Sequence, residues 1–129
     1  MDNNAKQILV VEDEKFISDL YVRALSRSNY EVTVVSDGEK ALSEIQKGTY
    51  DIVLLDIMMP NLTGIEILNR LDQTRPKLST KIIVATNLEL PPESRSKVEA
   101  MADGYIIKAE ITPNELVEYL DSTTPTVRD

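Results

Sequence analysis

The chain has 129 residues, of which 42% are hydrophobic and 28% charged, so we expect one globular domain with its own core. It contains no cysteine and no histidine, which excludes disulfides, thiolate metal sites and imidazole bases or ligands. The net charge of −8 disfavours nucleic-acid binding, which needs a basic surface. No apolar stretch of about 18 residues predicts a membrane span, and the N-terminus lacks the apolar core of a signal peptide, so we expect a cytoplasmic protein.

Apolar runs and helical patterns alternate along the first half of the chain. Residues 7–12 form a run rich in Val and Ile, which favours a buried strand, and apolar spacing over 14–28 predicts a helix with one buried face. Residues 31–35 alternate polar and apolar side chains, which suits an edge strand. A helix over 37–46 and a strand over 51–55 are predicted to follow.

The second half continues the alternation. The predicted elements are a helix over 65–73 closed by residues 75–77, a strand over 81–85, a helix over 92–102, a strand over 105–107 and a final helix from Pro113. Proline in the first turn and Thr112 as a cap favour the start of that last helix. We expect an N-terminal segment (1–6), one domain (7–121) and a C-terminal tail (122–129).

This alternation predicts an α/β fold. Right-handed crossovers favour a doubly wound, five-stranded parallel sheet with helices on both faces. The second strand is the least apolar, which places it at an edge and gives the flavodoxin-like order 2-1-3-4-5.

Polar residues able to do chemistry follow four of the predicted strands. Glu12 ends the first strand and Asp13 follows it, whereas Asp56 follows the third strand, Thr86 the fourth and Lys108 the fifth. Ligands of open parallel sheets bind beyond the carboxyl ends of the strands, so we expect these side chains around one crevice. Each residue alone is more simply a solvated strand end, but the set together favours a functional site.

The chemistry of this set suits a divalent cation and a phosphoryl group. Asp13 and Asp56 should lie about 5 Å apart if they end neighbouring strands, and such carboxylates repel each other unless a cation lies between them. Oxygen ligands without His or Cys select Mg²⁺, Mn²⁺ or Ca²⁺. The Lys108 ammonium is expected to reach Asp56, and the Thr86 hydroxyl can donate to a phosphoryl oxygen.

Four motifs carry a family resemblance: LVVEDE at 9–14, LLDIMMPNLTG at 54–64, IVAT at 83–86 and ADGYIIK at 102–108. Together they resemble the receiver domains of bacterial two-component response regulators, over about residues 7–121. The resemblance implies that Asp56 is the phosphoacceptor and that Lys108 and Thr86 assist the transfer. It also implies that Thr86 and Tyr105 form a switch pair.

The resemblance further implies a Mg²⁺ site. Asp13 and Asp56 would be direct ligands together with the backbone carbonyl of Met58, whereas Glu12 would act mainly through a coordinated water. A histidine kinase or phosphotransfer protein would supply the phosphoryl group, since the chain has no His of its own.

By the same resemblance we expect a single-domain regulator, chemotaxis-regulator-like, that is a signalling domain rather than an enzyme and catalyses only its own phosphorylation and dephosphorylation. We expect a monomer or a weak, phosphorylation-dependent dimer that does not bind nucleic acid or membranes. Its target would bind the face formed by the fourth helix, fifth strand and fifth helix. That face is expected to include Arg95, Lys97, Tyr105, Ile107, Glu115, Glu118 and Tyr119.

Two positions depart from the common family pattern. Lys108 is usually followed by a cis proline but here by Ala109, so we expect either strain or a rearranged loop. The residue after the switch Thr is usually very small but here is Asn87, whose amide is expected to narrow access to Asp56.

Three other functions are compatible with parts of the pattern. A flavodoxin-like FMN carrier needs a phosphate loop where this chain has Glu12, Asp13 and Glu14. A haloacid-dehalogenase-like phosphatase needs an Asp at the position of Met58. A pseudo-receiver that only binds partners would lack Asp56 or its helpers, and none is missing here.

Overall fold

The computed structural model describes residues 5–72 and 79–123. The strands are β1 (Lys6–Val11), β2 (Tyr30–Val35), β3 (Ile52–Leu55), β4 (Lys81–Thr86) and β5 (Gly104–Ile107). The helices are α1 (Lys15–Ser26), α2 (Gly38–Gln46), α3 (Gly64–Leu71), α4 (Pro92–Met101) and α5 (Pro113–Thr123). A 3₁₀ turn, Lys108–Glu110, connects β5 to α5.

The strands form one parallel sheet in the order β2-β1-β3-β4-β5, which confirms the predicted fold class and strand order. The central strand β3 is buried along its whole length. In β2, by contrast, Glu31, Thr33 and Val34 are exposed, because this strand lies at an edge of the sheet, where its one partner among the described residues is β1.

Two apolar layers cover the sheet, one on each face. Leu9, Val53 and Val84 point into the layer shared with α2, α3 and Val98 of α4. Ile8 and Leu54 belong to the opposite layer, which contains apolar residues of α1 and α5. Side chains of successive strand residues alternate between the two layers, as a pleated sheet requires. Among the helices in residues 5–72 and 79–123, none has both the length and the apolar character needed to cross a bilayer.

The end of α5 differs from the prediction. The helix continues through Ser122 and Thr123, which were expected to belong to the tail. Both hydroxyls donate to backbone carbonyls of the preceding turn, Ser122 to Tyr119 at 2.6 Å and Thr123 to Leu120 at 2.9 Å. The predicted helix end at Gln73, its closing segment 75–77, residues 1–4 and residues 124–129 lie outside the described residues.

Strand register aligns the residues that follow the strands. Val11 of β1 pairs with Leu55 of β3, so positions 12 and 56 lie side by side at the same edge of the sheet. Strands β4 and β5 are parallel to β3, so their carboxyl ends lie at the same edge of the sheet. Thr86 there pairs with Ile107, which Lys108 follows directly.

Candidate functional site

An open cleft of about 1250 Å³ lies at the carboxyl ends of the strands. Its lining includes Asp13, Asp56, Met58, Thr86 and Lys108. The structure therefore brings together the residues that the sequence predicted around one crevice. Glu12 lies behind this lining and is only 3% exposed.

Three carboxylates converge at one end of the cleft. Glu12, Asp13 and Asp56 each place a carboxylate oxygen within 4.8 Å of the others, which agrees with the distance expected for Asp13 and Asp56. Asp56 is buried and Asp13 is exposed, so the group is open to the cleft on one side. Such a set of hard oxygen donors fits a divalent cation of the Mg²⁺ class.

Lys108 offsets part of the negative charge of these carboxylates. Its ammonium donates to Asp56 Oδ2 at 2.9 Å, as expected, and also to Glu12 Oε1 at 2.7 Å, a contact that was not predicted. The side chain is only 7% exposed. Burial opposes the charged form, but the hydrogen bonds to Glu12 and Asp56 outweigh it and raise the pKa of Lys108.

Glu12 lies in a different environment from its neighbour Asp13. Burial raises the pKa of the Glu12 carboxyl and outweighs the hydrogen bond from Lys108, which lowers it. The second oxygen of Glu12 accepts the backbone N–H of Glu14 at 3.2 Å. Both oxygens of Glu12 are thus engaged by the protein, whereas Asp13 is free to turn toward the cleft.

The loop after β3 is fixed close to Asp56. The backbone N–H of Met58 donates to Asp56 Oδ1 at 3.2 Å, which places this peptide beside the carboxylate. A Cβ at Gly64 would lie 2.5 Å from the Asp56 carbonyl oxygen, so only glycine allows the start of α3 to approach so closely. Thr63 and Glu66 form a capping box that holds this helix end.

Thr86 ends β4 and is almost fully buried. Its hydroxyl oxygen accepts the backbone N–H of Leu88 at 3.1 Å, and its hydrogen is not used in that bond. Tyr105 pairs with Val84, two residues before Thr86, so Thr86 and Tyr105 are diagonal neighbours on the same face of the sheet.

Tyr105 is half-buried against the layer that contains α4. The Arg95 guanidinium lies 4.4 Å from the centre of its ring, a cation–π distance, and Arg95 is itself bound by Glu99. Burial raises the pKa of the Tyr105 hydroxyl, and Arg95 offsets this only in part.

The two unusual positions contact each other. Asn87 is exposed at the cleft, and its side-chain oxygen accepts the backbone N–H of Ala109 at 2.8 Å. There is no cis peptide bond in the described residues, and the segment after β5 is a 3₁₀ turn. Of the two expectations for this loop, rearrangement is therefore correct. The sequence shows that residue 109 has a backbone N–H to donate, because it is alanine and not proline, but it does not show that Asn87 is the acceptor.

Known proteins show the same fold and the same sequence pattern. Residues 8–121 match the family described as response regulator receiver domain. The chain is 34% identical to the transcriptional regulatory protein ResD of Bacillus subtilis over 95% of its own length and 55% of that protein. It is 31% identical to the gliding motility regulatory protein of Myxococcus xanthus over 92% of its length and 15% of that protein.

Solved structures of receiver domains and response regulators have the same fold as this chain. A CheY-like receiver domain protein from Methanospirillum hungatei superposes with a TM-score of 0.78 at 30% identity, covering 91% of both chains. The response regulator protein TrrA from Thermotoga maritima, in complex with Mg²⁺ and BeF, gives a TM-score of 0.77 at 33% identity, covering 92% of this chain and 99% of that one. The chain spans about half or less of the curated relatives named above.

Proposed function

This chain belongs to the response regulator receiver domains, a family of signalling domains phosphorylated on an Asp with Mg²⁺, and from that premise we propose that Asp56 is its phosphoacceptor. One observation carries the proposal: the buried Asp56 carboxylate lies beside Glu12 and Asp13 and accepts a 2.9 Å hydrogen bond from Lys108. A buried carboxylate in reach of both a cation site and an ammonium is equipped to attack phosphorus.

Asp56 and the residues around it have different roles in the proposed phosphoryl transfer. An Asp56 oxygen attacks the phosphorus in line, and the bond between phosphorus and the donor nitrogen breaks. Lys108 holds the acceptor carboxylate before the transfer and donates to a phosphoryl oxygen after it. In this proposal the Thr86 hydroxyl donates to a second oxygen, which is supported by its hydrogen not being used in the bond with Leu88. The same groups would assist the chain's own dephosphorylation.

We assign the Mg²⁺ to Asp13, Asp56 and the backbone carbonyl of Met58, with Glu12 acting through a water. Two observations support this division: Asp13, Asp56 and Met58 all line the cleft, whereas Glu12 is buried behind that lining. When bound, Mg²⁺ supplies positive charge that offsets the charge developing on the phosphoryl oxygens.

The phosphodonor and the target are both proteins in this proposal. Receiver domains work with histidine kinases and downstream targets, and in this proposal the donor is the phosphohistidine of a histidine kinase or a phosphotransfer protein. For the target we propose the face of α4, β5 and α5. A shallow depression of about 400 Å³ there is lined by Tyr105, Ile107, Glu115 and Tyr119 among others. The net charge of −8 disfavours direct nucleic-acid binding by these residues.

Phosphorylation by a small donor tests the assignment. Phosphoramidate with Mg²⁺ should add one phosphate to the wild-type chain, detected by intact mass, and EDTA should prevent it. Asp56→Asn should abolish the addition because the amide cannot form the acyl phosphate. Asp72→Asn, an exposed carboxylate at the end of α3, is the matched control and should label normally. Equal labelling of Asp56→Asn would refute the assignment.

A further inference from the structure

The loops that follow β4 and β5 are joined by one short hydrogen bond. Asn87 Oδ1 accepts the N–H of Ala109 at 2.8 Å, across 22 residues of sequence. Both residues are exposed, so water would replace either partner if the other were removed. The bond is therefore not needed to satisfy buried polar groups, and its effect is to fix the position of one loop relative to the other.

The turn that receives this bond is weakly held from within. It comprises Lys108, Ala109 and Glu110, and its closing backbone bond, from the Ile111 N–H to the Lys108 carbonyl, is 3.4 Å long. That length is beyond the usual range for a good backbone hydrogen bond. The Asn87 bond is shorter and reaches the middle residue of the turn, so it is the better restraint.

The first residue of the turn is Lys108. Its ammonium binds Glu12 and Asp56, and its side chain is only 7% exposed, so the surrounding residues leave it little freedom to move independently of the backbone. The position of the ammonium therefore depends on where the turn holds the Lys108 backbone. A restraint on Ala109, one residue away, acts directly on that position.

The loop that carries Asn87 is itself anchored at the site. Asn87 follows the buried Thr86, and Thr86 accepts the N–H of Leu88, so the backbone on both sides of Asn87 is fixed. A fixed acceptor is what allows one hydrogen bond to orient the opposite loop.

We propose that Asn87 is a positioning residue for Lys108, which holds the Lys108–Glu110 turn so that the ammonium meets Asp56. This role rests on the proposed function of Asp56. Without the Asn87 acceptor the turn samples other conformations, and the ammonium spends less time at the oxygens it has to stabilise. Asn87 does not need to touch the phosphoryl group to affect its transfer.

The test compares Asn87→Ala with Asn87→Asp, which keeps the acceptor oxygen, and with Asn69→Ala, an exposed Asn on α3, as control. Hydrogen exchange of the Ala109 amide should be about fivefold faster in Asn87→Ala, the equivalent of a net hydrogen bond of about 1 kcal/mol. The phosphorylation rate with phosphoramidate and Mg²⁺ should fall by a similar factor. Asn87→Asp keeps an acceptor oxygen but adds a negative charge. At high salt, which screens that charge, its Ala109 exchange rate and its phosphorylation rate should both be close to those of the wild type.

A second substitution at Lys108 separates positioning from a general structural effect. If Asn87 acts through Lys108, then Asn87→Ala should slow the wild type but not the Lys108→Ala variant. Equal slowing in both backgrounds, or a wild-type rate for Asn87→Ala, would overturn the positioning role. A wild-type chain that takes no phosphate on Asp56 would instead refute the proposed function, and with it this role, whatever the amide exchange shows.

Discussion

Adjacent residues of the site have opposite environments. Glu12 is 3% exposed and uses both carboxylate oxygens within the protein, whereas Asp13 is exposed and faces the cleft. The difference follows from strand alternation, because neighbouring side chains at a strand end point in opposite directions. We therefore expect the two carboxylates to contribute unequally to cation binding.

Magnesium titration of two single variants tests this inequality. Asp13→Ala should lose more Mg²⁺ affinity than Glu12→Ala, because a direct ligand is lost in the first case and an outer one, typically worth about 10–100-fold, in the second. Calorimetric titration measures both, and Asp72→Ala serves as a control outside the cleft. A greater loss in Glu12→Ala would reverse the assignment.

Individual elements depend on close contacts that hold the site loops. At the start of α2, the Gly38 N–H donates to the Pro60 carbonyl at 3.1 Å, and a Cβ on Gly38 would lie 1.8 Å from the Leu62 carbonyl oxygen. Helix α2 is thereby held against the loop that follows Asp56, with no side chain between them.

Gly38→Ala should consequently destabilise the protein. In an open helix this change usually stabilises by about 0.5–1 kcal/mol, but here the methyl group would displace the 60–62 backbone, at a cost of about 1–3 kcal/mol. Urea unfolding measures the difference, with Ser43→Ala on the exposed side of α2 as control. Unchanged or increased stability of Gly38→Ala would show that the loop yields without cost.

The sequence predicted elements far better than it predicted contacts between them. Strand order followed from the apolar character of each strand, and the strand-end residues of the site followed from the order. The bond from Asn87 to Ala109 and that from Lys108 to Glu12 depend on distances between separate loops, which no local pattern encodes. The end of α5 was missed because the hydroxyls of Ser122 and Thr123 bond the helix instead of ending it.

Across the whole molecule, the site and the proposed target face meet at β4 and β5. Thr86 and Tyr105 are diagonal neighbours on one face of the sheet, and Tyr105 carries Arg95 of α4 over its ring. Movement of the Thr86 hydroxyl toward a phosphoryl group would break its bond with the Leu88 N–H. We expect this movement to leave space for the neighbouring Tyr105 ring. The amphipathic tyrosine ring tolerates both buried and exposed positions, so a small energy difference can select between them.

Thr86→Ala should therefore separate phosphorylation from its distant effect. We expect the variant to accept phosphate on Asp56 but to respond weakly at α4, β5 and α5, since coupling of about 1–3 kcal/mol depends on the hydroxyl. Amide shifts before and after phosphorylation measure the response. Thr86→Ser keeps the hydroxyl and should respond like the wild type. A full response in Thr86→Ala would exclude Thr86 as the relay.

The contacts of Lys108 also link chemical competence to complete folding. Its two hydrogen bonds join it to residues 96 and 52 positions earlier in the sequence. Lys108 directly follows β5, an edge strand that pairs, among the described residues, with β4 alone. Such contacts form late in folding, because the entropy cost of bringing distant parts of the chain together precedes the stabilisation that the contacts provide. A chain that is still being synthesised, or whose last strand has detached, therefore displays Asp56 without its ammonium. We therefore expect the proposed phosphorylation of Asp56 to require the completely folded domain.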